Sequence, residues 1–178
     1  MAEKEAGMDR RGIVAGLGLL GLAACGGRGP ARAVGPDGRP LPTLFTISEE
    51  EAALIPGRMQ QGVNSLRAAA GSPPVALDPL LASAAATHAR DMSVQNRPWH
   101  FGSDGSTPLD RLARVGYPGA LVGEAISETY EDDLTTLAAW AQEPGTLEVL
   151  LDRRATRLGV AWFQEPAGKI WWTMVLGA

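Results

Sequence analysis

Near the end of the chain the hydrophobic period changes to two. Leu158, Val160 and Trp162 alternate with Gly159, Ala161 and Phe163, and Ile170, Trp172, Met174 and Leu176 alternate with Trp171, Thr173 and Val175. Glu165-Pro166-Ala167-Gly168 separates the two runs. Successive strand residues point to opposite faces, so this pattern describes an antiparallel hairpin that is apolar on both sides. Such a hairpin has to be covered twice, and helices upstream are the only cover available. The expected architecture is α+β: an α-β-α sandwich in which a small antiparallel sheet is flanked by helices.

Helix signals supply the cover. Ser48 followed by Glu49, Glu50 and Glu51 is a cap with carboxylates at the positive end of a helix dipole. Pro56-Gly57 is expected to break that segment, with a helix resuming over Met59–Ala70 and ending at Gly71-Ser72-Pro73-Pro74. Asp78 caps Pro79 and a long helix to about Gln95, with Leu81, Ala85, His88 and Met92 on one stripe. That stripe makes His88 a core histidine with a backbone or side-chain partner. Arg90 and Asp91 fall off it as a surface or loop-bracing pair. A polar loop, Phe101 to Ser106, precedes Thr107, which caps a short helix over Pro108–Val115. Leu121–Thr129 reads as a brief strand or loop, Asp132–Gln142 as a helix interrupted by Glu143-Pro144-Gly145, and Thr146–Leu151 as a further turn or helix. Trp140, Trp162, Trp171 and Trp172 are expected in the core, whereas Trp99 sits in a loop.

The first 24 residues read as a leader. Gly12 to Ala24 carries no charge, but 13 residues are too few for a spanning helix, which needs about 20. The run suits the apolar core of a secretory signal peptide. It ends in Leu22-Ala23-Ala24-Cys25, which resembles a bacterial lipobox, and Cys25 is the only cysteine in the chain. Cys25 is therefore the expected lipidation site, carrying palmitate-type acyl chains that hold the protein to a membrane. Gly26 in place of Asp favours the outer membrane by resemblance to enterobacterial sorting, while Arg10-Arg11 fits twin-arginine export poorly. Residues 25–43 are rich in Gly, Pro and Arg and form the expected tether, with one globular domain over 44–178.

Composition removes several classes of function. The net charge is −4, so no basic surplus exists to follow a phosphate backbone, and nucleic acid is not an expected partner. One cysteine excludes a disulfide framework, and two histidines, His88 and His100, exclude a three-histidine metal centre. No Gly-x-Ser-x-Gly is present. Ser103, Ser106 and Ser127 lie near the motif residues but are ordinary turn residues.

An ordered set of short motifs completes the reading: Asn64-Ser65-Leu66-Arg67, Leu77-Asp78-Pro79-Leu80-Leu81, His88-Ala89-Arg90-Asp91-Met92, His100 to Pro108, Asp110-Arg111-Leu112, Gly116-Tyr117, Gly123-Glu124, Trp140, Pro144-Gly145, Leu150-Leu151, Leu158-Gly159-Val160-Ala161 and Trp171-Trp172-Thr173. In this order they resemble the CAP superfamily of cysteine-rich secretory, antigen 5 and pathogenesis-related proteins, in its cysteine-free bacterial, SCP-like extracytoplasmic branch. The resemblance implies the same α-β-α sandwich with a central cleft. It also implies two histidines and two acidic residues lining that cleft, which bind a divalent metal in several members. His100 matches the first histidine and Glu124 the glutamate of Gly-Glu-Asn, whose Asn is Ala125 here. Glu143 stands where animal members carry the second glutamate, and Thr146 where the second histidine belongs; Arg157 replaces a usual acidic residue. The expected ligand cleft is therefore His100, Glu124, Glu143 and Thr146, with no metal site and no cofactor beyond a weakly held divalent cation. The expected function is an envelope-anchored binding or scaffolding module, more a binder than an enzyme. Its partner would be a lipid, a cell-wall component or another envelope protein. The alternative is a hydrolase, metal-assisted or not, with His100 and Glu124 as catalytic candidates.

Overall fold

The computed structural model describes residues 45–129 and 131–178. The leader, Cys25 and the tether lie outside the described residues. Helix α1 (Glu49–Ala69) is followed by strand β1 (Ala76–Leu77), α2 (Pro79–Gln95), α3 (Pro108–Arg114), β2 (Leu121–Thr129), α4 (Asp133–Gln142), α5 (Pro144–Leu151), β3 (Arg157–Gln164) and β4 (Ile170–Gly177). The sheet order is β1-β3-β4-β2. The β3–β4 hairpin forms as expected, with Trp162 opposite Trp172. β2 is a full nine-residue strand, antiparallel to β4, with a bulge between Leu121 and Gly123. β1 adds a short parallel edge on β3, making the sheet mixed.

β4 is buried along its whole length, and its alternation divides two cores. Ile170, Trp172, Met174 and Leu176 join Ile55, Met59 and Val63 of α1 and Leu137 and Trp140 of α4 on one face. Val175 and Trp171 face the opposite way and meet Leu81, Ala85, Ala89 and Met92 of α2. The architecture is the expected sandwich: α2 and α3, then the sheet, then α1, α4 and α5. Two close approaches depend on glycine. A Cβ at Gly159 would collide with the backbone of Leu81 and Ala82, so only glycine lets β3 lie directly under α2. A Cβ at Gly62 would likewise strike Leu137 where α1 crosses α4.

Three local expectations change. Pro56-Gly57 does not interrupt α1. Ile55, Met59, Val63 and Arg67 are buried at four-residue spacing on both sides of the proline, so tertiary burial outweighs one missing backbone hydrogen bond. α5 starts at Pro144 rather than Thr146, because proline suits the first helical turn, with Glu143 left as the joint between two helices. Trp162 is half-buried against the core, whereas Trp140, Trp171 and Trp172 are buried. The loop tryptophan, Trp99, is half-buried: Arg97 lies 4.0 Å over its ring and its Nε1–H donates to Gln95 Oε1.

Candidate functional site

Gly123 and Glu124 occupy adjacent positions on β2 and so face opposite sides of the sheet. A Cβ at Gly123 would meet Val149 of α5, so Glu124 points toward α2 and α3. Its side chain is 2% exposed, and a carboxylate so deeply placed requires charged or hydrogen-bonding partners. Arg111 supplies most of them. Thr107 and Asp110 form a reciprocal capping box that fixes the start of α3, which carries Arg111 inward. Its Nη2 donates to Glu124 Oε1 at 3.0 Å and Oε2 at 2.8 Å, and to the His100 carbonyl at 3.1 Å; Nη1 reaches the Ser106 carbonyl at 3.3 Å. His100 completes the cluster: Nδ1–H donates to Glu124 Oε1 at 2.9 Å, while the imidazole stays 51% exposed. A carboxylate can only accept, which places the proton on Nδ1. Nε2 of His100 makes no protein hydrogen bond among the described residues.

His88 belongs beside this cluster. It is fully buried, as the α2 stripe requires, and Nε2–H donates to the Trp99 carbonyl at 2.9 Å. The same nitrogen lies 3.7 Å from Glu124 Oε1, and Nδ1 has no partner. Burial holds the imidazole below its ordinary pKa; the Glu124 charge opposes this and Arg111 adds to it. His88 is therefore neutral at pH 7 and ties the Trp99–His100 segment to α2. Asp91, one turn from His88, braces the other end of the same loop: it accepts from the Ser103 amide at 2.7 Å and from the Ser103 hydroxyl.

The other two cleft candidates belong to the α4–α5 segment. Glu143 is exposed at the α4–α5 joint and Thr146 is half-buried on α5; neither side chain makes a hydrogen bond or ion pair among the described residues. Val149 of α5 lies against Gly123, on the face of β2 opposite Glu124. Among the described residues no serine hydrogen-bonds His100. Ser103 Oγ donates to Asp91, and Ser127 Oγ accepts from Trp140 Nε1 at 2.6 Å.

The donor set fits a divalent metal badly. Both Glu124 oxygens already receive a guanidinium, and a second cation there would be opposed by the first. A catalytic zinc uses three protein ligands plus water, and no group of three or more His, Cys, Asp or Glu side chains able to hold a metal occurs among the described residues. What the arrangement does hold is a neutralised carboxylate under an exposed imidazole, at the end of a braced loop. Arg111 is the member of the cluster with the weakest sequence signal; only its place in the Asp110-Arg111-Leu112 motif marks it.

Comparison with known proteins agrees with this fold. The model of the CAP, cysteine-rich secretory protein family matches residues 60–176. The crystal structure of an extracellular protein containing an SCP domain from Bacillus anthracis is 27% identical, with TM-score 0.62; the match covers 74% of this chain and 44% of that one. This chain thus spans less than half of that protein's length. A cysteine-rich secretory protein from Staphylococcus aureus is 13% identical, TM-score 0.59, over 81% of this chain and 44% of its own. An outer surface protein of Borrelia burgdorferi is 15% identical, TM-score 0.58, over 77% of this chain and 98% of its own. The last two likenesses bear on the fold alone. No curated protein matches the chain. With a family model spanning most of the globular part and the sandwich it predicts in place, the chain belongs to the CAP family.

Proposed function

We propose that this CAP domain is a binding or scaffolding module of the cell envelope, held there by a lipid on Cys25 and using the His100–Glu124 cleft without a metal. The observation that carries this reading is Arg111 seated on both oxygens of Glu124, which gives the carboxylate an internal cation. Thr146, at the position of the second family histidine, brings no imidazole. An envelope location is supported by the leader pattern ending at Cys25 and by relatives described as extracellular in Bacillus anthracis and as an outer surface protein in Borrelia burgdorferi. No helix among the described residues is long and apolar enough to cross a membrane, so an anchor has to come from elsewhere. The ligand is a lipid, a cell-wall component or another envelope protein, and the outer membrane is the proposed site.

One observation favours a second reading. A carboxylate that holds the Nδ1–H of an exposed imidazole leaves Nε2 as an available base, the arrangement used by His-dependent hydrolases. Envelope fractionation tests the anchor. Wild-type protein is expected in the membrane fraction with fatty acid on Cys25, and Cys25→Ser is expected to be released. Purification of the acylated protein with its envelope contents, beside His100→Ala, tests the cleft. A component lost on His100→Ala with no turnover of ester or amide probes supports the binding module. Turnover that depends on His100 supports the hydrolase, and full membrane retention of Cys25→Ser contradicts the anchor.

A further inference from the structure

Three consecutive carbonyls of the His100 loop are each held by a side-chain donor. The Trp99 carbonyl accepts from His88 Nε2 at 2.9 Å, the His100 carbonyl from Arg111 Nη2 at 3.1 Å and the Phe101 carbonyl from Gln95 Nε2 at 3.1 Å. Among the described residues none of the three accepts from a backbone amide. Side chains, not secondary structure, therefore set the conformation of this segment. Gln95 grips it twice. Its Oε1 also accepts the Trp99 indole N–H at 2.7 Å, so one carboxamide holds the residue on each side of His100. An indole can only donate and a carbonyl only accept, which fixes the orientation of the amide. Asp91 holds the amide in turn, accepting from Nε2 at 3.0 Å. Gln95 is the last residue of α2, whose buried face packs on the sheet, so these bonds tie the loop to a rigid element. His88 and Arg111 act from buried positions inside the cluster, whereas Gln95 is half-buried at its edge. It makes no hydrogen bond to the side chain of His100 or Glu124 among the described residues.

We propose that Gln95 is a positioning residue for His100. By gripping Trp99 and Phe101 together it keeps the imidazole on Glu124, with the proton on Nδ1 and Nε2 directed to the ligand side as an acceptor. The imidazole is 51% exposed, so packing alone does not hold it there. With the loop released, His100 leaves Glu124, and nothing else among the described residues retains the proton on Nδ1. The purpose of this device rests on the cleft reading above, whereas the geometry that it sets needs no ligand.

The test is NMR of isotopically labelled imidazole nitrogens in the full chain, which reads the ratio of Nδ1–H to Nε2–H in the neutral His100 side chain. His88 is the only other histidine, and His100→Ala tells the two sets of signals apart. No ligand is added, so this measurement and the capture of an envelope component fail independently. Wild type is expected to carry the proton on Nδ1. Gln95→Met removes both grips and is expected to lower the ratio about tenfold, the scale of two ordinary hydrogen bonds. Gln95→Lys keeps a donor for the Phe101 carbonyl and is expected to fall between. The indole signals of Trp171 and Trp172 on β4 report whether the fold is intact. An unchanged ratio in Gln95→Met, a wild-type proton on Nε2, or a fall that comes only with displaced Trp171 and Trp172 signals would overturn the positioning role.

Discussion

Arg67→Met is expected to destabilise the domain by about 4 kcal/mol or more, enough to remove most of the stability of an ordinary domain. Arg67 is fully buried on α1, and its guanidinium donates only to backbone carbonyls: Pro73 at 2.6 Å, Leu150 at 2.7 Å, Asp152 at 3.0 Å and Ala155 at 3.0 Å. The last three belong to the end of α5 and the turn into β3. One side chain thus closes that turn onto α1, and methionine would leave these carbonyls without donors at about 1–3 kcal/mol each. Chemical denaturation of the variant checks this. A loss below about 1.5 kcal/mol would mean that water replaces the guanidinium and that Arg67 is not the clamp described.

Trp172→Ala is expected to cost about 3–5 kcal/mol, as truncation of a buried large aromatic does. Trp172 is fully buried as the third residue of β4, 5.5 Å from the Trp162 ring, in the core shared with α1, α4 and α5. Trp162→Ala should cost less, because its ring is half-buried. The same denaturation series compares the two. Equal losses would put the hairpin's weight on both rings and contradict the difference in burial.

The architecture is legible in the chain because period and caps agree at each step. Ser48, Asp78, Thr107 and Asp132 each cap a helix through the side chain, and both strands of the hairpin alternate as their residues dictate. Helical period places His88 in the core, where it finds its backbone partner at Trp99. What period cannot show is proximity across the sheet, and the 3.7 Å approach of His88 to Glu124 follows only from packing. Arg67 illustrates the same limit. It continues the buried stripe of Ile55, Met59 and Val63, but a charge there argues for the surface, and three of its four partners lie at least 83 residues away. Arg111 and Arg114 share one short helix, and nothing local says which turns inward to Glu124 and which outward to Asp104. Pro56 misleads because helix propensity is a weaker force than a buried stripe on both sides of it.

That Arg111 gives the cleft carboxylate an internal cation that opposes a metal ion there is tested most directly by calorimetric titration of the full chain with zinc. Wild type is expected to bind no zinc in the submicromolar range, and Thr146→His alone is expected to gain little, because the Arg111 guanidinium stays on both Glu124 oxygens. Submicromolar zinc binding by the unmodified chain, abolished by His100→Ala, would contradict the account and move the cleft to the metal-dependent reading.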